Sequence, residues 1–196
     1  MSIEPKTDEA LIDSLKKDGS MDSFKILYGK YKTKIYHYLY RLLGDRAEAE
    51  DCTHEVFIQL YQKAGQYKAG AQFSSWLYTM ARNKAFDLLR KRKVRKSVSF
   101  DRTADNEDEP SLAGLLSDCG LDPAKAAESK EVSALVQEGI AKLDAMEKQL
   151  ILLCDLQELS HKEVAEILGY SPETIAVKLY RARGRLAKIL KIEDFF

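Results

Sequence analysis

The sequence predicts an all-α protein of two small helical domains joined by an acidic flexible linker, the second domain a helix-turn-helix. Three observations carry this. Apolar residues recur at intervals of three and four from Asp8 to Lys96 and again after Asp122, with little of the alternation that marks half-buried strands. Between the two stretches, Ser, Thr, Asp, Glu, Asn, Pro and Gly dominate, and Asp105 to Pro110 has no apolar face to bury. Charge is segregated as well. The chain has 31 Lys+Arg against 31 Asp+Glu, net zero. Residues 1–96 nevertheless hold 19 and 12, residues 97–130 hold 3 and 8, and residues 131–196 hold 9 and 11. The expected division is 1–96, a linker at 97–122, and 123–196.

The elements follow in order. A first helix covers about Asp8 to Lys17 and stops at Asp18-Gly19. A second runs from about Asp22 to Leu43, with Phe24, Leu27, Tyr31, Ile35, Tyr38 and Leu42 as its apolar stripe. Gly44 suits the left-handed conformation that ends it, and Asp45 caps the third helix, which continues to about Ala64. A glycine-containing loop, 65–73, precedes Ser74-Ser75, which open a fourth helix reaching the basic run Arg90 to Lys96. Its apolar side is Trp76, Leu77, Met80, Ala81, Ala85, Leu88 and Leu89. In the linker, Leu112, Leu115 and Leu116 form either a docking turn or a loose cluster. Asp122-Pro123 is a helix start, and helices are expected at about 123–142, 144–157, 161–168 and 172–190.

The 196 residues, 45% hydrophobic and 32% charged, describe a globular protein. No apolar run approaches the roughly 20 residues of a membrane span, and the N-terminus lacks a signal-peptide core, so export and membrane insertion are not expected. Cys52, Cys119 and Cys154 are widely spaced and odd in number, which fits a reducing cytoplasm better than a disulfide framework.

The sharpest local pattern runs from Ser160 to Arg185. Ala165 is small where two helices would cross, Gly169 can take the turn, and Val164, Leu168, Ile175 and Leu179 supply a shared core. Ser171 is a cap and Pro172 a first helical residue. Beyond them Ile175, Leu179, Ala182, Leu186 and Ile189 share one face, and Lys178, Arg181, Arg185 and Lys188 another. A basic outward stripe neutralises phosphates, while Glu173, Thr174 and Val177 on the first turns are placed to meet base edges. The alternative is a solvated basic face on a helical hairpin. A net charge of −2 for this unit argues against tight binding to DNA on its own.

The first half adds aromatic residues beside cations. Tyr67, Phe73, Trp76 and Phe86 lie near Lys68, Gln72, Arg82, Asn83, Lys84 and Arg90. Most such rings belong to a core, but rings beside a positive groove are also what melted DNA requires, since bases stack while the backbone is neutralised.

Phe24 to Tyr31, Ala49 to Phe57, and Phe73 to Asn83 together resemble region two of bacterial RNA polymerase sigma factors, with Trp76-Leu77 through Ala81-Arg82-Asn83 the most specific piece. The helix-turn-helix resembles region four, and with no room for a region three the chain is similar to the extracytoplasmic-function group. The resemblance implies that the helix bearing Glu50, Asp51, His54, Glu55, Phe57 and Gln59 docks on the clamp of core RNA polymerase. His54 stands where glutamine is common, and Cys52 where an apolar residue is usual. It further implies that Lys68, Gln72, Phe73, Ser74, Arg82, Asn83, Phe86, Asp87 and Arg90 melt and hold the minus-ten element. Ser171, Glu173, Thr174, Val177, Lys178, Arg181 and Arg185 would then read the minus-thirty-five element. An anti-sigma protein is the further partner implied. The linker, net −5 over 97–130, either imitates a polyanion in a polymerase channel or is a plain tether.

No metal site is expected, since Cys52 and His54, with His37 or His161, make no matched ligand pairs. No cofactor, nucleotide loop or nucleophile motif is present to suggest an enzyme. The rival function is a free-standing helix-turn-helix regulator, whose marks are palindromic half-sites and high affinity for DNA without polymerase.

Overall fold

The computed structural model describes residues 7–68, 70–98 and 134–191. The helices are α1 (Asp8–Asp18), α2 (Met21–Leu43), α3 (Arg46–Lys63), α4 (Phe73–Val98), α5 (134–141), α6 (Ala145–Leu150), α7 (His161–Leu168) and α8 (Pro172–Leu190). Among the described residues there is no strand. The linker, its leucines and the Asp122-Pro123 helix start lie outside the described residues.

Local chemistry sets the boundaries. Thr7 accepts from the Ala10 N–H, Ser20 from Ser23 and Asp45 from Glu48, so the first three helices all begin on side-chain caps. Gly19 and Gly44 end α1 and α2 at φ 67° and 73°, as the sequence suggests. The fourth helix begins at Phe73, one residue before the serines expected to open it. Phe73 is fully buried, and its N–H faces Glu9 Oε1 of α1 at 3.5 Å, so tertiary packing sets that start.

The expected stripe of α2 is the core, with Leu27, Ile35 and Tyr38 fully buried, though Phe24 at its beginning is only half-buried. On α4, Leu77, Met80, Ala81 and Ala85 are buried, while Trp76, Leu88 and Leu89 are partly so. Arg92, near the end of α4, donates to the Leu43 carbonyl at 3.0 Å and pairs with Glu48. This fastens the long helix to the α2–α3 corner.

The helix expected at 144–157 changes character midway. After α6 the chain continues as a π-helical turn, Ile151–Leu156, in which the Gln157 N–H reaches back to the Leu152 carbonyl at 3.0 Å. Leu150, Ile151, Leu152 and Leu153 are all buried. Four consecutive residues exceed the apolar width of one α-helical face, and a widened turn distributes them around the helix. Glu158, at φ 55°, then reverses the chain into α7.

The two helical units touch. The helix α4 packs against α7, α2 reaches the π-helical turn, and Gln137 of α5 exchanges hydrogen bonds with Arg41 of α2 at 3.2 and 3.3 Å.

Candidate nucleic-acid and polymerase surfaces

The loop before α4 is built from its own aromatic residues. Tyr67, 2% exposed, donates its hydroxyl to the Ala71 carbonyl, and its ring meets Trp76 at 5.4 Å and Phe73 at 6.4 Å. Phe73 in turn packs on Tyr31 at 5.3 Å. Phe73, expected to contact melted DNA, is therefore the floor beneath the loop rather than a stacking platform. Lys68 and Gln72 are exposed on that floor, and Trp76 is the partly exposed ring beside them.

Along α4, Asn83, Asp87 and Arg90 are exposed, with Arg90 paired to Asp87 at 3.2 Å. Arg82 holds its guanidinium 5.2 Å from the centre of the half-buried Phe86 ring. A cation over one ring, with the exposed Asn83 amide beside it, is the chemistry a phosphate and an unstacked base would use. Ser74, Tyr78 and Arg82 are engaged elsewhere: Ser74 donates to Glu163, Tyr78 to Gln157 Oε1 at 2.7 Å, and Arg82 to Gln149 Oε1 at 2.7 Å.

On α3, Glu50, Asp51, His54 and Glu55 are exposed, Gln59 is half-buried, and Phe57 is only 2% exposed. Phe57 packs edge-on against Tyr28 at 4.8 Å and Phe24 at 6.5 Å. Its part is thus to shape the surface from below. The residues that surface is made of were missed by periodicity. Ile58 is 57% and Tyr61 44% exposed, and they line an apolar groove with Met21, Phe24, Tyr28 and His54. Periodicity gives no signal that separates Phe57 from Ile58, since Val56 and Phe57 are neighbours on the same helix and both are buried. Glu50 pairs with Arg46 at 3.1 Å and Glu55 with Lys84 of α4.

The helix-turn-helix is formed by α7 and α8. Ser160 and Glu163 make a reciprocal capping box on α7, and Gly169 turns the chain at φ 75°. Ser171 accepts from the Thr174 N–H, with Pro172 in the first turn of α8. Val164, Ala165, Leu168, Ile175 and Leu179 are all buried where the two helices meet. Outward, Glu173 and Arg181 are exposed, Val177 is 53% exposed, and Thr174 is half-buried. The N–H of Glu173 itself and the Ser171 hydroxyl hold the exposed Glu173 carboxyl below the usual range. Lys178 lies 5.3 Å from the Tyr170 ring centre. Arg185, still exposed, reaches across to α6 and pairs with Glu147 at 3.1 Å, and Arg183 pairs with Asp155. These acids damp the basic face, which is how this unit combines a cationic helix with a negative total.

Cys52 is buried and His54 exposed, and no cluster of His, Cys, Asp or Glu suited to a metal occurs among the described residues. No helix among them is long and apolar enough to cross a membrane.

A helix-turn-helix following an aromatic-rich helical unit defines a two-part DNA-recognition protein. Residues 27–95 match the family model of Sigma-70 region 2, and residues 133–186 that of Sigma-70, region 4. The chain is 34% identical over 175 residues to the ECF RNA polymerase sigma factor SigW of Bacillus subtilis, spanning 89% of this chain and 92% of that one. It is 30% identical to the ECF sigma factor BldN of Streptomyces coelicolor over 88% of this chain and 62% of the relative. Its fold is similar to solved CnrH, in complex with the cytosolic domain of CnrY, with a TM-score of 0.69, 19% identity, and 95% and 99% of the two chains covered. It is also similar to the sigma factor RpoE of Bartonella quintana, in complex with the anti-sigma factor NepR, with a TM-score of 0.68, 21% identity, and 88% and 99% covered. The chain belongs to the extracytoplasmic-function group of the sigma-70 family of RNA polymerase sigma factors.

Proposed function

We propose that this alternative sigma factor directs initiation through three surfaces. The exposed carboxylates of α3 (Glu50, Asp51, Glu55), with His54, Gln59 and the apolar groove above Phe57, dock on the clamp of core RNA polymerase. Lys68, Gln72, Ser74, Arg82, Asn83, Phe86, Asp87 and Arg90 hold the melted minus-ten strand over the floor made by Phe73. Glu173, Thr174, Val177, Lys178 and Arg181 read the minus-thirty-five element in the major groove, with Ser171 fixing the helix start and Arg185 a reserve phosphate contact.

The observation that supports this best is the pairing, in one chain, of a strand-holding surface with a duplex-reading helix carried by a unit whose net charge, −2, is too low for tight solo binding. Such a chain needs a larger carrier, and polymerase provides the chemistry, so the protein needs no active site of its own. An anti-sigma protein is a fitting further partner, given the complex with the anti-sigma factor NepR in which Bartonella RpoE was solved. Its place of action is the bacterial cytoplasm, at the nucleoid when polymerase-bound. Purified protein added to core polymerase should give initiation at discrete start sites on genomic fragments. Tight, palindrome-specific DNA binding without core-dependent transcription would instead indicate the free-standing regulator.

A further inference from the structure

Ser74, Tyr78 and Arg82 are four residues apart, so they project from a single stripe of α4. Each is bonded to the second helical unit: Ser74 to Glu163 of α7, Tyr78 to Gln157, and Arg82 to Gln149 of α6. We propose that these three rungs form an interdomain latch, in which the α6–α7 segment occupies Ser74 and Arg82 of the strand-holding face of α4, leaves Lys68, Gln72, Asn83, Asp87 and Arg90 exposed, and so weakens capture of melted DNA by the free chain. This rests on the minus-ten role given above to Ser74 and Arg82.

The chemistry of the rungs suits a reversible contact. Glu163 meets a neutral hydroxyl, Arg82 meets a neutral amide, and the Tyr78–Gln157 pair carries no charge. None of the three is an ion pair, so opening exchanges ordinary hydrogen bonds for water. Arg82 gains on release, because a phosphate oxygen is a stronger acceptor than the Gln149 amide. Two of the partners keep other bonds when the units part. Glu163 keeps the Ser160 N–H at 2.8 Å and the Ser160 hydroxyl at 2.7 Å, and Gln149 keeps its bond to the Ala145 carbonyl at 3.0 Å. The second unit therefore opens as an intact body.

The latch is also one-sided. It ties up Ser74, Tyr78 and Arg82 of α4 while Glu173, Val177 and Arg181 on α8 remain exposed, so duplex reading stays available while strand capture is weakened. Distance requires the opening. Elements centred about 25 base pairs apart lie roughly 85 Å from each other at 3.4 Å per pair. By contrast, α4 and α7 are in hydrogen-bond contact, and α8 with 19 residues spans only about 28 Å.

The test uses the full chain with Gln149→Ala and Gln157→Ala combined, since neither residue belongs to a DNA or polymerase surface. Two quantities are compared with wild type: the radius of gyration by small-angle scattering, and affinity for a fluorescent single-stranded oligonucleotide. The oligonucleotide carries the non-template minus-ten strand of a promoter at which the wild-type holoenzyme initiates. With about threefold per hydrogen bond, the double variant should bind roughly tenfold tighter without core polymerase and show a larger radius. Tyr78→Phe keeps the ring and removes one rung, so about a threefold gain is expected even if the double variant folds poorly. Unchanged radius, or an expanded chain with unchanged strand affinity, overturns the latch. Failure of the underlying role would appear differently, as absence of core-dependent initiation by the wild type.

Discussion

The bond between Ser74 and Glu163 joins residues 89 apart in sequence, so its strength reports directly on contact between the two helical units. Glu163→Ala removes two things. Within α7 it removes half of a capping box, worth about 1 kcal/mol. Across the units it removes a hydrogen bond to a carboxylate, worth about 1.5 kcal/mol. The expected loss is therefore about 2.5 kcal/mol, against about 1.5 kcal/mol for Ser74→Ala. The double variant should be scarcely worse than Glu163→Ala alone, leaving a coupling of about 1–1.5 kcal/mol. Urea unfolding followed by far-UV circular dichroism measures all four corners of the cycle. The pH dependence has a definite sign. Burial acts to raise the Glu163 carboxyl, but the bonds from Ser74 and from the Ser160 hydroxyl and N–H outweigh it and hold the group below the ordinary range. A depressed folded value means the contribution is complete above about pH 4.3, the unfolded value, and fades as pH falls through the lower folded one. Additive losses at neutral pH, within about 0.5 kcal/mol, would refute the reasoning that the units share this bond.

Three further outcomes are expected. Arg181→Ala, on the exposed face of α8, should weaken promoter binding by the holoenzyme and lower the salt slope by about one, whereas a base-reading change at Glu173 should alter which promoters are used; gel-shift titrations over salt and sequence separate the two. Tyr38→Phe should be neutral or stabilise by about 1 kcal/mol in thermal melts, because the fully buried Tyr38 hydroxyl has no hydrogen-bond partner among the described residues. Burial, with Asp155 nearby, pushes the Cys154 thiol up to about 11, so at pH 8 its alkylation by iodoacetamide should run about a hundredfold slower than that of a small free thiol, and speed up with rising pH.

What was legible in the sequence follows local rules. Gly19, Gly44, Asp45, Gly169, Ser171 and Pro172 announce helix ends through their own backbone and side-chain chemistry, and the structure places each at such an end. The α7–α8 core was equally readable, because one apolar face suffices for each helix. Three kinds of feature were not legible. The π-helical turn at Ile151–Leu156 depends on burying four successive residues, and helical periodicity has no template for that. The exchange of Phe57 and Phe73 into the core, with Ile58 and Tyr61 left outside, depends on which neighbours arrive from α2 and α1. The rungs at Ser74, Tyr78 and Arg82 depend on partners 67 to 89 residues away, and nothing in a serine or an arginine alone names its acceptor.

The neutrality of the whole chain also has a physical place in the account. A basic first unit, an acidic middle and a second unit whose Arg183 and Arg185 are tied to Asp155, Glu147 and Asp144 give weak attraction to DNA until polymerase supplies the rest. The most direct test is therefore in vitro transcription with core polymerase and genomic fragments, comparing wild type with a Glu50→Ala, Glu55→Ala variant of the α3 face. The account predicts discrete start sites that appear only when core and wild-type protein are both present, and that are lost in the variant together with association to core. Tight sequence-specific binding of the isolated protein, with no core-dependent start sites, would contradict it.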